Sequence, residues 1–403
     1  MMYQAYQARA EFMKPVRAMA RIAATSRGLF TAPANFVPRT LVAGCELLGR
    51  AGLSHKRPAY RVGFVLNGER EVEVCEEATH ATPFGTLLHF KKAAEAPGPR
   101  VLLVAPMSGH FATLLRGTVR TLLREHDVYI TDWHNARNVN LQHGPFGFDD
   151  FIDHVIAFIE LLGPGTHVIA VCQPCVAVLA AVAIMAASSN PAQPRSMTLM
   201  GGPIDTRVNP TTVNKLALAH PIEWFERHLI NRVPLRYPGA MRRVYPGFLQ
   251  LMAFMSMNPE RHRKAHLDLL HHLVKGETQQ ADAIREFYDE YFAVMDLPAE
   301  FYLETVRVAF QEHLLPLGKL RSRDRPVEPS AIRRTALLTV EGEKDDICSV
   351  GQTVAAQDLC GGLRPYLKRH HVQTGVGHYG VFNGRRWESG IYPIVRHIIH
   401  AND

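Results

Sequence analysis

Two cysteines three positions apart, Cys172 and Cys175, are the residues of this sequence best placed to carry covalent chemistry. They follow the apolar run "HVIAV" and precede a run of small apolar residues. This pattern predicts a strand that ends at Cys172 and a helix over residues 176–187. A strand, a tight turn and a helix are the setting of a nucleophile elbow. Cys172 is therefore the candidate nucleophile.

The residues around Cys172 fit the elbow pattern imperfectly. Ala170 and Pro174 stand where small residues, usually glycines, are expected two positions before and after the nucleophile. Centring the turn on Cys175 would put Gln173 at a position that needs a small residue, and the nucleophile inside the helix. We therefore favour Cys172 and expect Cys175 to pack as a small apolar residue.

The Cys-x-x-Cys spacing also occurs in metal sites and redox pairs. A metal site needs further ligands, and the sequence has no second Cys-x-x-Cys. The one His-x-x-His, His397 and His400, lies in a helix-like apolar run, which favours a helix face over a ligand pair. A redox dithiol normally precedes the helix of a smaller fold. The six cysteines form no dense framework, which predicts reduced thiols in a cytoplasmic compartment and no metal site.

A candidate acid and a candidate base follow predicted strands near the end of the chain. In "EGEKDDI", Asp345 and Asp346 compete for the acid, because adjacent side chains point differently and only one can meet a histidine. His378 lies in the glycine-rich "GVGHYG", which allows the close approach that a general base needs. The chain order Cys, Asp, His is that of the α/β-hydrolases.

These residues predict acyl transfer through a thioester. A thiol loses its proton more easily than an alcohol, and His378 can accept that proton and pass it to the leaving group. Backbone N–H groups would hold the oxyanion. One is that of Gln173, and the other is that of Met107 or Ser108, in the loop after the first buried strand.

Four further residues are candidates for the pocket. Asp132, Trp133 and His134 end another predicted strand, and ligands bind beyond such strand ends. These three side chains either shape the pocket or hold the loop, and the sequence leaves both readings open. Tyr379, beside the candidate base, is the fourth.

The elements that position these residues alternate between strands and helices. Asn67-Gly68 predicts a hairpin between strands over residues 60–66 and 71–77. Continuous apolar runs indicate buried parallel strands. Further strands are expected over residues 86–91, 101–106, 127–133, 167–171 and 196–202, with helices over residues 111–125, 148–162 and 176–187. The alternation predicts an α/β-hydrolase fold: a mostly parallel doubly wound sheet with an N-terminal β-hairpin.

The alternation of strand and helix patterns stops between residues 207 and 332. Helical patterns rich in histidine, methionine and aromatic residues occupy this range. Strand patterns return over residues 335–346 and 367–380. This return favours an inserted helical lid over an independent helical domain. We therefore divide the chain into an N-terminal helical segment (1–58), the first part of the core (59–206), the lid (207–332) and the second part of the core (333–403).

Composition excludes several other roles. The formal net charge is +7, but the basic residues are scattered, which argues against a nucleic-acid partner. No run of 18 apolar residues predicts a membrane span, and Glu11 interrupts the region where a signal peptide needs an apolar core. The N-terminal residues instead predict an amphipathic helix, docked on the core or contacting an apolar surface. Its apolar side would carry Tyr3, Tyr6, Met13, Met19 and Ile22.

Four segments, "HVIAVCQP", "TVEGEKDDI", "GVGHYGVFNGRRW" and "TDWHNAR", resemble the intracellular poly(3-hydroxybutyrate) (PHB) depolymerase family, bacterial enzymes that mobilise stored polyester granules. The resemblance extends over nearly the whole chain. It implies Cys172 as nucleophile, His378 as base and Asp345 as acid, because the acid in such loops stands two residues before the apolar Ile347. It also implies a cytoplasmic, granule-associated enzyme with PHB as its partner and no cofactor, and it leaves a homo-oligomer open.

The expected activity is hydrolysis of amorphous PHB to oligomers and monomer through a cysteinyl acyl-enzyme. One alternative is a polyester synthase or acyltransferase, but synthases carry a G-x-C-x-G-G box where this chain has A-V-C-Q-P-C. A second alternative is a granule-binding protein without activity, and a third is an esterase for small soluble esters.

Overall fold

The computed structural model describes residues 2–25, 36–68, 70–93, 98–257 and 259–403. Its main sheet has nine strands. In chain order these are β1 (Phe64–Asn67), β2 (Arg70–Ala81), β3 (Gly85–Lys92), β4 (Arg100–Val104), β5 (Asp127–Trp133), β6 (His167–Val171), β7 (Ser196–Met200), β13 (Ala336–Gly342) and β14 (Lys368–Gln373).

The order of the strands in the sheet is β1-β2-β3-β5-β4-β6-β7-β13-β14. Three neighbouring pairs are antiparallel: β1 with β2, β2 with β3, and β3 with β5. All the pairs that follow in this order, from β5 to β14, are parallel. Strands β6, β7 and β13 are buried along their whole length, as expected for a parallel sheet covered on both faces. The crossover between β4 and β5 and the flanking helices confirm the predicted α/β-hydrolase fold.

The helices are α1 (Met2–Thr25), α2 (Phe36–Arg50), α3 (Arg116–Leu122), α4 (Phe148–Leu162), α5 (Cys175–Ala187), α6 (Thr212–Ala219), α7 (Ile222–Leu229), α8 (Gly247–Met257), α9 (Pro259–Lys275), α10 (Thr278–Tyr291), α11 (Ala299–Thr305), α12 (Ala355–Leu359), α13 (Gly384–Arg386) and α14 (Tyr392–Ala401). In α5 every side chain from Cys175 to Met185 is buried. Its alanines and valines are small enough for the helix to lie directly against the sheet. No helix in the described ranges combines the length and apolar character needed to cross a membrane.

Between β7 and β13 the chain forms α6–α11 and two small antiparallel sheets. One sheet contains β8 (Asn231–Arg232), β9 (Arg243–Tyr245) and β10 (Leu297–Pro298), and the other contains β11 (Arg321–Ser322) and β12 (Arg325–Pro326). The sequence predicts an inserted helical lid over residues 207–332, and these elements lie within that range. We call residues 207–332 the insertion.

Several predicted elements begin or end elsewhere in the structure; the strands predicted over 101–106, 196–202, 335–346 and 367–380 all end earlier than expected. The first hairpin strand begins at Phe64 rather than at residue 60, because Arg61 has a φ of 53°, outside the β region. The predicted helix over residues 111–125 is a 3₁₀ turn, Ala112–Leu115, followed by the shorter α3. The hairpin turn itself lies at Asn67-Gly68 as predicted, and Gly68 has a φ of 63°.

The predicted apolar side of α1 is only partly correct. Tyr3 is buried, whereas Met19 is 71% exposed and Ile22 is 66% exposed. Met19 follows Tyr3 by about four and a half helical turns, so the two side chains face opposite directions. The helix therefore docks on the core through its Tyr3 side and leaves other apolar residues exposed.

Candidate active site

Cys172 stands on a strained turn between β6 and α5. Its φ is 66°, a left-handed conformation that L-residues other than glycine rarely adopt. Its N–H donates to the carbonyl of Met200 at 2.8 Å, and its own carbonyl accepts the N–H of Cys175 at 3.1 Å. These bonds fix the strained residue between the sheet and the helix, which is the geometry of a nucleophile elbow.

Two glycines after β7 make room for this turn. A Cβ on Gly202 would lie 2.1 Å from the Cβ of Cys175, and a Cβ on Gly201 would lie 3.3 Å from the Cε1 of His378. Pro174 has a φ of −67°, the value its ring prefers, and it directly precedes α5. The close approach that glycine usually permits inside the elbow is thus provided by a neighbouring loop, and Pro174 fits without strain.

Asp345 is the carboxylate that contacts His378. Its Oδ2 accepts a hydrogen bond from the Nδ1 of His378 at 2.7 Å. Its Oδ1 accepts the backbone N–H groups of Ile347 at 2.9 Å and Cys348 at 2.8 Å. Both partners of the His–Asp pair are buried. Asp346 instead lines a small cavity beside His378.

The electrostatics of the site favour a protonated His378. Burial by itself would lower the pKa of His378, but the negative charges of Asp345 and Cys172, with hydrogen bonds to both, raise it well above its usual value. A positive imidazolium next to a sulfur favours the thiolate, which is the reactive form of cysteine. The same proton can then be passed to a leaving group.

The candidate oxyanion donors lie around the side chain of Gln173. The N–H of Met107 donates to the Oε1 of Gln173 at 3.4 Å, a long and weak bond that a substrate oxygen can displace. In the described residues, the backbone N–H groups of Gln173 and Ser108 donate to no protein acceptor. Donors from both predicted segments are thus available for a developing oxyanion.

Asp132, Trp133 and His134 make contacts that hold the loops around the site. Asp132 pairs with Arg57 at 2.5 Å. The indole N–H of Trp133 donates to the carbonyl of Ala105 at 2.8 Å, which fixes the start of the loop containing Met107. His134 bonds a threonine of β3 and a backbone carbonyl. None of the three lines the cavity beside His378.

That cavity, of about 40 Å³, is where the insertion covers the site. Its apolar and aromatic walls come from α8 and α10 of the insertion and from the loop of the candidate base: Phe254, Met257, Phe287, Tyr291 and Tyr379. The rings of Tyr291 and Tyr379 lie edge to face, with centroids 6.1 Å apart. Of these five residues only Tyr379 is a pocket candidate from the sequence, although the methionine- and aromatic-rich helical pattern of the insertion is a signal for the others.

His110, which the sequence analysis also missed, links the oxyanion loop to the insertion. Its ring is buried and stacks on Tyr291 and Phe254, with centroids 4.9 and 5.8 Å apart. Burial lowers the pKa of His110 to about 4, so the ring is neutral at physiological pH. His, Cys, Asp and Glu side chains form no group of three that could hold a metal ion in the described ranges.

Comparisons with known proteins place the chain among hydrolases. Residues 201–403 match the family model described as "PHB de-polymerase C-terminus". A search of curated proteins found no match.

The chain is also similar to solved structures at low identity. The 2-hydroxy-6-oxo-6-phenylhexa-2,4-dienoate hydrolase of Rhodococcus sp. strain RHA1 is 16% identical, covers 82% of this chain and 99% of its own, and has a TM-score of 0.41. A thermophilic esterase of Thermogutta terrifontis is 14% identical, with 81% and 99% covered and a TM-score of 0.41. A carboxylesterase of Nitrososphaera gargenis is 12% identical, with 84% and 100% covered and a TM-score of 0.42.

Proposed function

The chain belongs to the PHB depolymerase family of carboxylic ester hydrolases, and we propose that it hydrolyses amorphous PHB to 3-hydroxybutyrate oligomers and monomer with Cys172, His378 and Asp345 as its triad. The observation that carries the proposal is the hydrogen-bonded Asp345–His378 pair beside the strained turn of Cys172.

In the first half-reaction, His378 takes the proton of Cys172 and the thiolate attacks an ester carbonyl of the polymer. The backbone N–H of Gln173, with that of Met107 or Ser108, stabilises the oxyanion. The tetrahedral intermediate collapses to a thioester. His378 gives its proton to the departing hydroxyl end of the chain.

In the second half-reaction, water attacks the thioester while His378 accepts one of its protons. The carboxylic acid product leaves, and the proton returns to the sulfur of Cys172. No step requires a cofactor.

The insertion is the proposed lid, and α1 is the proposed granule contact. Phe12, Met19 and Ile22 are exposed on α1, with Met19 71% exposed. Exposed apolar side chains on a docked helix suit adsorption to a polyester surface in the cytoplasm. The aromatic walls beside His378 suit a polyester chain.

The test is the release of 3-hydroxybutyrate from amorphous PHB granules. Wild-type protein should release oligomers and monomer, and Cys172→Ala should release neither. Cys175→Ala is the matched control and should keep the activity, because Cys175 is fully buried and burial raises the pKa of its thiol. Equal rates for wild type and Cys172→Ala would contradict the assignment. Polymer formed from 3-hydroxybutyryl-CoA would instead indicate a synthase.

A further inference from the structure

A second cavity, of about 1020 Å³, lies between α1, α2 and α10, away from the residues beside His378. Seven arginine and lysine side chains and two carboxylates line it. Both carboxylates are already paired. Asp289 bonds Arg50 at 2.5 Å, and Glu46 bonds Arg285 at 2.5 Å.

The other five cations have no carboxylate within 4 Å in the described residues. They are Lys14, Arg17, Arg21, Lys56 and Arg137. Residues 26–35, which join α1 to α2 and lie outside the described residues, add an arginine and no acidic residue to the sequence. Within the described ranges, the positive charge of this cavity is therefore not balanced by neighbouring carboxylates.

Arg137 is an example of a cation in this cavity with a hydrogen-bond donor that has no acceptor. Among the described residues its Nε is buried without a hydrogen-bond partner, while its Nη1 donates a long bond of 3.5 Å to the hydroxyl of Tyr3. Its guanidinium lies 4.1 Å from the ring centroid of Tyr237. The nearby carboxylate of Asp296 accepts the hydroxyl of Tyr3 and the N–H of Gly247 instead. A buried guanidinium donor without an acceptor is costly, and an anionic ligand would supply the acceptor.

A more apolar cavity of about 690 Å³ adjoins the basic one. The two share seven residues, among them the ion-paired Arg50, Arg285 and Asp289; the others are Tyr6, Ala10, Arg17 and Leu53. Leucines, methionines and phenylalanines of α2, α8 and α9 form most of its remaining wall. A ligand that fills both spaces carries negative charge at one end and an aliphatic chain at the other.

We propose that the two cavities together bind a phosphorylated amphiphile, with its phosphate among the five cations and a single aliphatic chain in the apolar cavity. A phosphate monoester carries up to two negative charges and three acceptor oxygens, which match several arginines better than a carboxylate does. The site does not depend on the proposed hydrolysis. Arg285 and Asp289 of α10 line it, whereas Phe287 and Tyr291 of the same helix line the cavity beside His378.

The experiment is calorimetric titration of the full chain with dodecyl phosphate below its micelle concentration. We expect one dodecyl phosphate per chain, bound at least about tenfold more tightly than inorganic pyrophosphate or dodecanoate. Lys14→Glu/Arg17→Glu should weaken dodecyl phosphate binding about tenfold or more, since tenfold corresponds to only about 1.4 kcal/mol. Lys215→Glu/Lys319→Glu changes the net charge equally at two exposed lysines outside both cavities and should leave the affinity unchanged.

Circular dichroism melting checks that each variant folds, and Arg21→Glu is the substitute if the double variant does not. Failure of dodecyl phosphate to bind, or equal loss of affinity in the cavity and control variants, would overturn the site. Pyrophosphate binding as tightly as dodecyl phosphate would overturn the amphiphile and indicate a site for free phosphates.

Discussion

The Nδ1 of His378 lies 2.7 Å from the Oδ2 of Asp345, and the other oxygen of Asp345 is held by two backbone N–H groups. The carboxylate therefore cannot rotate away from the imidazole without losing all three bonds. With Nδ1 occupied, Nε2 is the nitrogen left to exchange a proton with Cys172.

The adjacent aspartates provide a matched pair of variants. Asp345→Asn should lower the rate of PHB hydrolysis by roughly 10²–10⁴-fold, because His378 loses its orientation and the charge that stabilises the imidazolium. Asp346→Asn removes the same charge one residue away, without touching His378, and should stay within about tenfold of wild type. The rate of PHB hydrolysis on granules is measured for both variants. A larger loss in Asp346→Asn than in Asp345→Asn would make Asp346 the acid of the triad.

Alkylation of Cys172 by iodoacetamide should depend on His378. The raised pKa of His378 favours the positively charged imidazolium at neutral pH, and a positive charge beside a cysteine promotes its attack on an alkylating reagent. His378→Gln removes that charge, so its alkylation rate should be lower near neutral pH and rise more steeply as the pH increases. At pH 6.5 we expect wild type to react at least about tenfold faster, measured by mass spectrometry of the Cys172 peptide. Buried Cys175 is the internal control and should stay unmodified in both proteins. Identical pH profiles would argue against the ion pair.

His110 should make folding sensitive to mild acid. Its folded pKa of about 4 lies below the unfolded value near 6.5, so folding favours the neutral ring. The stability that this gives is present above pH 6.5 and is lost as the pH falls toward 4, by up to about 3 kcal/mol. His110→Phe keeps a ring against Tyr291 and Phe254 and should lose less stability over this range. Urea unfolding at pH 7 and pH 4.5 measures the difference, and parallel losses in both proteins would exclude His110 as the cause.

Gly202 should tolerate no side chain. A Cβ there would meet Cys175 at 2.1 Å, so Gly202→Ala should destabilise the fold by about 1–3 kcal/mol and distort the turn at Cys172. Gly44, exposed in α2 with no atom within 4 Å of its added Cβ, is the control. Gly44→Ala should stabilise the helix by up to about 1 kcal/mol. Thermal unfolding gives both values, and a Gly202→Ala protein as stable as wild type would show that Cys175 can shift.

Much of the fold could be predicted because local patterns carry it. Apolar runs such as His167–Val171 match the observed strand to the residue, since a strand buried on both faces is continuously apolar. The same holds for α4, Phe148–Leu162, whose apolar residues recur at the helical period. Departures occur where backbone geometry interrupts the pattern, as at Arg61 with its positive φ.

The candidate site also has some features that local sequence predicts and others that depend on the tertiary structure. The sequence by itself determined the strand–turn–helix at Cys172 and the positions of Asp345 and His378 after strands, because each depends on neighbours in the chain. The residues alone left Asp345 and Asp346 open, and the family resemblance favoured Asp345. The tertiary structure shows the bond from His378 to Asp345, because adjacent side chains differ in direction, not in local pattern. It likewise revealed that Gly202 makes room for Cys175 and that α1 and α2 enclose a basic cavity. Those contacts join residues far apart in the chain, and the distances between such residues are fixed only when the whole fold packs.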